Sequence, residues 1–470
     1  MNSVNAQVTS GKSVAIIGGG VAGATVALYL AKQGVEVTLF EKNVGLVSGP
    51  PICHLHAGGN LYRELSHQDC IDLLKQSIAF VRFFPHTVNR RPTVIAIPKN
   101  DKGEPDALLP RLELLKNTYQ QLVEIDPANQ VLGHPERYFQ RVEREELESL
   151  RGKQGVSSPE TIHDWLTPFA NNTDLDSLKY PIYVVQEYGL SLFRVAATIE
   201  LGAEQLSNLT IRTGVKVDHV EPCENGMTIT SEGESSEYYD YVVNACGFRT
   251  GIIDDQMHYR RQRMVEFKAA YVTHWKTPNN EKWPEVIFHG ERGTPQGMAQ
   301  LTPYPDGYFQ LHGMTGDITL FKDGLAHSSS SSAQPCLPHY LISKVEKGWS
   351  FDVQNQRTLS AIAHLSQYVP SFSSALPAGK PLYGAQQIPG TNPSLRTADV
   401  SFEDENYARL EIVKASSALE AAKKITKKWF DVRTTESFSL TNDFSLDLVE
   451  QRGKALAKLR GYPESLAKAY

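Results

Sequence analysis

Ser13-Val14-Ala15-Ile16-Ile17-Gly18-Gly19-Gly20-Val21-Ala22-Gly23, followed by Val35-Glu36-Val37-Thr38-Leu39-Phe40-Glu41, decides the fold of this chain. The first five residues are apolar and largely β-branched, the composition of a short parallel strand buried on both faces. Gly18 permits the tight turn that ends it, Gly20 lets the backbone approach a pyrophosphate, and Gly23 lets the next helix pack closely on the strand. That helix begins near Val21 and Ala22, so its free N–H groups and positive dipole end face the phosphates. Val35–Phe40 is the second strand. Glu41 ends it, roughly 20 residues beyond the first glycine, where an acid accepts hydrogen bonds from ribose hydroxyls. An acid there disfavours a 2′-phosphate and hence NADP. The residues alone leave two dinucleotides, FAD or NAD.

At 470 residues the chain has material for roughly two to three domains. Hydrophobic residues make up 41% of it, enough for ordinary cores, and the net charge of −6 gives no general attraction to nucleic acid. Cys53, Cys70, Cys223, Cys246 and Cys336 are scattered and lack CxxC spacing, as expected of reduced thiols rather than of a disulfide framework or a metal site. The first residues, MNSVNAQVTSGKS, lack the basic-then-apolar order of a secretion signal, and no apolar run reaches the ~18 residues of a membrane span. The expectation is a cytoplasmic, enzyme-sized protein.

Beyond Glu41 the pattern does not continue as a regular βαβ series. A glycine- and proline-rich stretch ends in Cys53-His54-Leu55-His56-Ala57-Gly58-Gly59. A helix over 69–84 follows, with Leu73, Leu74, Ile78 and Val81 on one face. Thr93–Pro98 reads as a strand, and 107–124 and 144–150 as helices in a polar, loop-rich region. Nucleotide-type patterning resumes near Val184. It includes a helix over 189–205, strands at Leu209–Ile211 and Val215–Val220, a return strand at Met227–Thr230, and Tyr241-Val242-Val243-Asn244-Ala245-Cys246-Gly247, a buried strand running into a glycine turn. A strand-like, aromatic-rich insertion covers about 260–376, with a flexible serine run at Ser328–Ser332. Ala408–Val413 and a helix over 416–430 complete the pattern. The expected fold is α/β: a Rossmann-like dinucleotide domain with a central parallel sheet (12–83, 184–259 and 377–430), interleaved with an α+β substrate domain (84–183 and 260–376). A C-terminal extension (431–470) follows.

The early glycine motif, the late V-V-N-A-x-G strand and the interleaved insertions resemble the D-amino-acid oxidase-like (DAO) superfamily of FAD-dependent oxidoreductases. The resemblance rests on Gly18–Glu41, on Val215–Val220 with Val242–Gly247, and more loosely on His56-Ala57-Gly58, where such enzymes carry a glycine-rich segment beside the isoalloxazine ring. It implies FAD, with Gly18, Gly20, Val21, Ala22, Gly23, Glu41, Lys42, His56, Ala57, Gly58, Val217, Ala245, Cys246, Gly247, Lys414 and Ser416 around it. The His-Ala-Gly element, Arg263–Lys268 and Leu301-Thr302-Pro303 look most like L-2-hydroxyglutarate oxidase and malate:quinone oxidoreductase. The sequence departs from the pattern at Lys414-Ala415-Ser416-Ser417, where a glycine-rich flavin loop is usual.

Enzymes of this kind take a hydride from a carbon bearing OH or NH₂ beside a carboxylate. The site therefore needs a base, a cation for the carboxylate, and stabilisation of charge on the reduced flavin. Candidate bases are His54, His56 and His312; His56, beside glycines that permit close approach to a flat ring, is preferred. A covalent flavin link through His56 is a further reading. For the carboxylate, arginine's bidentate fork points to Arg396 and then Arg263, with Arg249 placed to neutralise pyrophosphate charge. Lys414 and Ser416 open a helix whose dipole would face the flavin C2=O, although the serines equally suit an N-cap. Tyr188 is either a cavity-lining or a core aromatic. The basic stretch Gln451–Tyr470 suggests peripheral membrane contact when electrons pass to quinone, but Gly453, Gly461 and Pro463 interrupt a long amphipathic helix and favour a solvated tail. The leading expectation is oxidation of a small 2-hydroxy acid, with quinone or oxygen as acceptor. The alternatives are oxidation of an amino acid or secondary amine, and a non-catalytic FAD-binding partner or redox sensor.

Overall fold

The computed structural model describes residues 11–50, 55, 65–431 and 443–470. Along the chain, β1 (Ser13–Ile17), α1 (Val21–Lys32) and β2 (Glu36–Glu41) form the opening βαβ unit, and α2 (His67–Phe83) follows. After a long excursion come α3 (Leu192–Ala203) and β3 (Tyr241–Asn244). Two long strands, β4 (Arg263–His274) and β5 (Leu382–Pro389), precede β6 (Tyr407–Leu410), α4 (Ala418–Phe430) and α5 (Leu446–Leu459).

Six strands make the first sheet, in the order Val400–Phe402, β6, β3, β1, β2, Leu209–Thr213. All pairings are parallel except at the Val400–Phe402 edge. Alternation along β1 sends Val14 and Ile16 into a core shared with α1, α3 and α4. Ala15 and Ile17 go to the opposite side, against Val220, Met227, Ile229 and Tyr239 of a three-stranded meander. Burial on both faces explains why β1 carries no polar alternation. This is the α/β, Rossmann-like architecture expected from the opening motif.

The second sheet has ten strands. One face buries Val94, Ala96, Tyr271, Val286, Phe288, Leu301 and Leu311 against the helices Ile162–Asn172 and Phe351–Ser366. The other face is polar: Thr93, Glu285, Gln300, Thr302 and Gln310 lie on it, all buried. Strand partners cannot be read from sequence, and they distribute the chain differently from its order. Leu178–Val185 and β5 both pair in this second sheet, whereas Val400–Phe402 and β6 pair in the first.

The C-terminal segment is not a solvated tail. Val449, Gly453 and Ala457 of α5 are buried, as are Leu466 and Ala467 beyond it. Its basic residues are engaged within the fold, Arg452 with Glu200 and Glu204 and Lys468 with Asp306. Among the described residues no helix is long and apolar enough to cross a membrane. Cys70, Cys223, Cys246 and Cys336 are free thiols.

Candidate functional site

Three of the four glycines in the opening turn, Gly18, Gly20 and Gly23, do different work. A Cβ on Gly18, whose φ is +108°, would lie 2.5 Å from the Ala245 carbonyl oxygen. On Gly23 it would lie 2.0 Å from the Gly18 carbonyl oxygen and 2.8 Å from the Ala245 side chain. These two glycines let β1, α1 and the Ala245–Gly247 turn close on one another. Gly20 is the opposite case, with no atom within 4 Å of a built Cβ. It opens α1 without a side-chain cap, and no acid occupies the first turn at Val21 or Ala22. Among the described residues the start of the helix is thus open at Gly20 and carries no side-chain cap, the arrangement that accepts an anion.

Glu41 is buried beside this turn. Its carboxylate accepts the Gly19 N–H at 2.7 Å and the Asn43 backbone N–H at 2.8 Å, with the Asn43 amide on the same oxygen. A carboxylate has about four acceptor directions, so one remains for a ribose hydroxyl. Lys42 and Arg249 bring positive charge to the same corner. Burial, then repulsion from Arg249, draws the Lys42 ammonium below its usual pKa. Arg249 reaches Glu346 at 2.7 Å. The Cys246 thiol is pushed up to about 12 by burial, then by Glu41, and points at the Ile17 carbonyl. Val217 begins the first strand of the meander, half-buried.

The link between the two sheets runs through adjacent glutamines of β5. Gln387 donates to the carbonyls of Leu410 and Ile412 at 3.0 and 3.3 Å and accepts from Arg263 at 3.1 Å. Gln386 donates to the Val413 carbonyl at 3.0 Å and accepts from the Lys268 ammonium at 3.1 Å. Lys268 in turn lies 2.6 Å from Glu266, which also pairs with Arg292. A cation–carboxylate cluster on the polar face of β4 is thereby held at the entrance to α4, where Lys414 is half-buried and Ser416 buried. Ser417 bonds Gln76 of α2.

His312 sits half-buried on this face, in register with Gln300. Gln300 donates to Glu285, which pairs with Arg91 at 3.1 Å, both partners buried. The amide nitrogen of Gln310, and Nε and one terminal nitrogen of Arg91, are buried without a hydrogen-bond partner. Such unpaired donors are costly in a closed core and common where a ligand or water completes them.

The remaining candidates are placed elsewhere or lie outside the described residues. Arg263 is buried and donates to Thr250, to the Gly247 carbonyl at 3.2 Å and to Gln387; desolvation lowers it to about 10. It ties the Gly247 turn to β5. Arg396 is buried in the link before Val400, donating to the carbonyls of Pro393 and Leu395 at 3.0 and 2.7 Å. Its neighbour Thr397 bonds Asp69 of α2. His54, His56, Ala57 and Gly58 are outside the described residues. Their flanks are fixed: Pro50 packs 2.9 Å from the position a Gly384 Cβ would take, and the Leu55 N–H donates to the Tyr188 carbonyl at 3.0 Å. Tyr188 itself is buried and lies by a small pocket with Arg90, Arg137 and Trp165. Sequence reasoning missed Glu266, Lys268, Gln386 and Gln387. For Glu266 and Lys268 the signal was polar residues alternating inside an otherwise apolar strand; for Gln386 and Gln387 it was a polar pair inside one. No group of three or more residues able to hold a metal occurs among the described residues.

The sequence profile of the family described as DAO, FAD dependent oxidoreductase, matches residues 13–375. No curated protein matches the chain. Among solved structures, glycine oxidase from Geobacillus kaustophilus has a TM-score of 0.56 at 13% identity, over 92% of this chain and 99% of its own. NikD, an unusual amino acid oxidase, gives 0.59 at 13%, over 91% and 97%. The glycerol-3-phosphate dehydrogenase from Bacillus halodurans, complexed with FAD, gives 0.51 at 14%, over 98% and 78%. At these identities the likeness is one of fold. The chain belongs to the DAO family of FAD-dependent oxidoreductases, and is an enzyme whose cofactor is FAD. The residues present fit that group: the open space at Gly20 suits its pyrophosphate and Glu41 its ribose.

Proposed function

We propose that this flavin enzyme oxidises a small carboxylate-bearing substrate, a 2-hydroxy acid, at the carbon next to the carboxylate. FAD, when bound, supplies the two-electron acceptor for the hydride that leaves this carbon; quinone or oxygen then takes the electrons. The reading rests on one observation above all: Lys268, held by Glu266 and Gln386, stands where the polar face of the large sheet meets the entrance to α4. A lysine so held offers a point charge to a carboxylate. His312 shares this face and is the base we assign, with His56 as the second candidate. The subtype expectation, close to L-2-hydroxyglutarate oxidase or malate:quinone oxidoreductase, belongs to the same proposal. Arg396 and Arg263 keep the role of secondary carboxylate partners only if the substrate reaches the β5–β6 link. Domain roles are assigned likewise, cofactor on the six-stranded sheet and substrate against the ten-stranded one.

Oxidation of an amino acid or secondary amine on the same scaffold is favoured by the names of several similar structures, among them glycine oxidase and NikD. The two readings separate in one experiment. Holoenzyme is mixed anaerobically with a panel of 2-hydroxy acids and, in parallel, amino acids and secondary amines, and flavin absorbance is followed. Bleaching by a hydroxy acid supports the first reading. Bleaching by amines alone replaces it with the second.

A further inference from the structure

We propose that Arg460, outside the family-matched region, is a positioning residue for the cofactor site, acting through the loop that follows Glu41. After β2 the chain turns back onto the glycine turn. The Val47 N–H donates to the Gly19 carbonyl at 2.7 Å, while the Gly19 N–H holds Glu41. Val47 is buried and adopts a φ of +51°, a left-handed conformation that a β-branched residue takes only when its surroundings impose it. The Gly19 carbonyl and the core hold one side of Val47, and one guanidinium holds the other. Arg460 donates to three consecutive carbonyls, Val47 at 2.9 Å, Ser48 at 2.9 Å and Gly49 at 2.6 Å. Pro50, the next residue, packs on β5 at Gly384.

The arginine is itself fixed from both sides. It caps α5, whose end is turned by Gly461 at φ +69° with the Tyr462 N–H returning to Ala457. Its guanidinium lies 5.0 Å from the Phe193 ring centroid, on α3. Earlier on α5, Arg452 pairs with Glu200 of α3 and with Glu204 just beyond it, a half-exposed contact that shares no partner with Arg460. After it, the Tyr462 hydroxyl donates to the Pro381 carbonyl at 3.0 Å, and Ser465 and Lys468 hold Asp306. The C-terminal segment thus spans from the nucleotide side to the large sheet, and Arg460 ties it to the loop that bonds the dinucleotide turn. Lysine cannot replace it, since one ammonium on a flexible stem lacks the planar fork that meets three carbonyls from two nitrogens. Loss of Arg460 removes the hold on the Val47–Gly49 carbonyls, and with it one support of the loop that bonds Gly19 beside Glu41.

The test uses Arg460→Lys and Arg460→Ala, with Arg452→Ala as a control on the same helix. FAD affinity is measured by equilibrium dialysis, the flavin environment by visible circular dichroism of the holoenzyme, and folding by melting of the flavin-free protein. Arg460→Ala is expected to raise the FAD Kd at least tenfold and alter the visible dichroism. Arg460→Lys should fall between it and the parent, and millimolar guanidinium should partly rescue Arg460→Ala. Arg452→Ala should leave Kd and dichroism as in the parent. An Arg460→Lys protein with parental Kd and dichroism would overturn the proposal, whether or not the alanine variant folds. So would equal weakening by Arg452→Ala, which would reduce the effect to general loss of stability.

Discussion

Gly20→Ala separates cofactor binding from folding in a way that its neighbours cannot. Gly20 has φ −64° and ψ 177°, angles that alanine adopts freely, and its built Cβ meets no atom within 4 Å. Two small effects on the flavin-free protein oppose each other. Restricting the unfolded chain stabilises by about 0.4–1 kcal/mol, and replacing glycine by alanine at an N-cap costs a similar amount. The melting temperature of the flavin-free protein should therefore stay within about 4 °C of the parent. The bound state differs, because the methyl group occupies the space a pyrophosphate needs at the start of α1. Loss of one or two charge-assisted hydrogen bonds from the first-turn N–H groups, at roughly 1.5–3 kcal/mol each, predicts about 3 kcal/mol. The FAD Kd should then rise about 100-fold. Gly23→Ala should behave otherwise, since its Cβ would stand 2.0 Å from the Gly18 oxygen and must break the turn in the free protein too. Equilibrium dialysis and calorimetry of flavin-free protein read the two quantities. A Gly20→Ala variant with parental FAD affinity and parental melting would refute the placement of the pyrophosphate at this turn.

Other outcomes follow from the same geometry. Asp254 is buried and accepts from Tyr407 at 2.9 Å and from Arg409 at 2.8 and 2.6 Å, so Asp254→Ala leaves a buried guanidinium with Glu403 and the Ser401 hydroxyl and should cost about 3–5 kcal/mol in urea unfolding; a loss below 1 kcal/mol, on the order of a surface ion pair, would contradict that. His364 is buried with its pKa lowered from 6.5, by desolvation first and against the Gly297 hydrogen bond. The unfolded chain therefore binds the proton more readily, and this contribution to stability is present above pH 6.5 and lost as pH falls through the folded value. His364→Gln should flatten the fall in stability between neutral and mildly acid pH, and an unchanged slope would assign it to other groups. Lys268→Met should keep FAD content while raising KM for the substrate at least tenfold; unchanged KM would remove Lys268 from substrate recognition.

The nucleotide unit was legible because its physics is local. Gly18, Gly20, Gly23 and Glu41 act within one βαβ unit, and the sequence spacing carries the geometry. The polar face was not. Glu266 and Lys268 in β4, Gln300 and Thr302, and Gln310 and His312 each alternate with apolar residues. In an antiparallel strand that pattern ordinarily means one face in water. Here the water side is covered by the rest of the chain, and burial turns the same alternation into a polar interior. Arg263 was attractive as a carboxylate partner by residue type, and Arg396 also by its place in the C-terminal part of the family pattern, but an arginine inside a fold is as readily consumed by carbonyls, as both are here in part.

The position of β5 shows why the site had to be assembled in space. β5 and β6 are close in sequence, and a strand pattern gives each the same description, yet β5 pairs with β4 in the ten-stranded sheet and β6 with β3 in the six-stranded one. A residue at the crossing can therefore belong to one sheet by its backbone and to the other by its side chain. Gln386 and Gln387 do so, with backbones registered against Glu266 and Val265 and amides bound to carbonyls at and just after the end of β6. Glutamine suits this role because its amide donates to a carbonyl and accepts from a cation together. Glutamate at 386 would repel the Val413 carbonyl, and leucine would take away the donor that carbonyl accepts from. The two neutral amides thus let a charged cluster on one sheet stand beside the helix entrance on the other without desolvating a further charge.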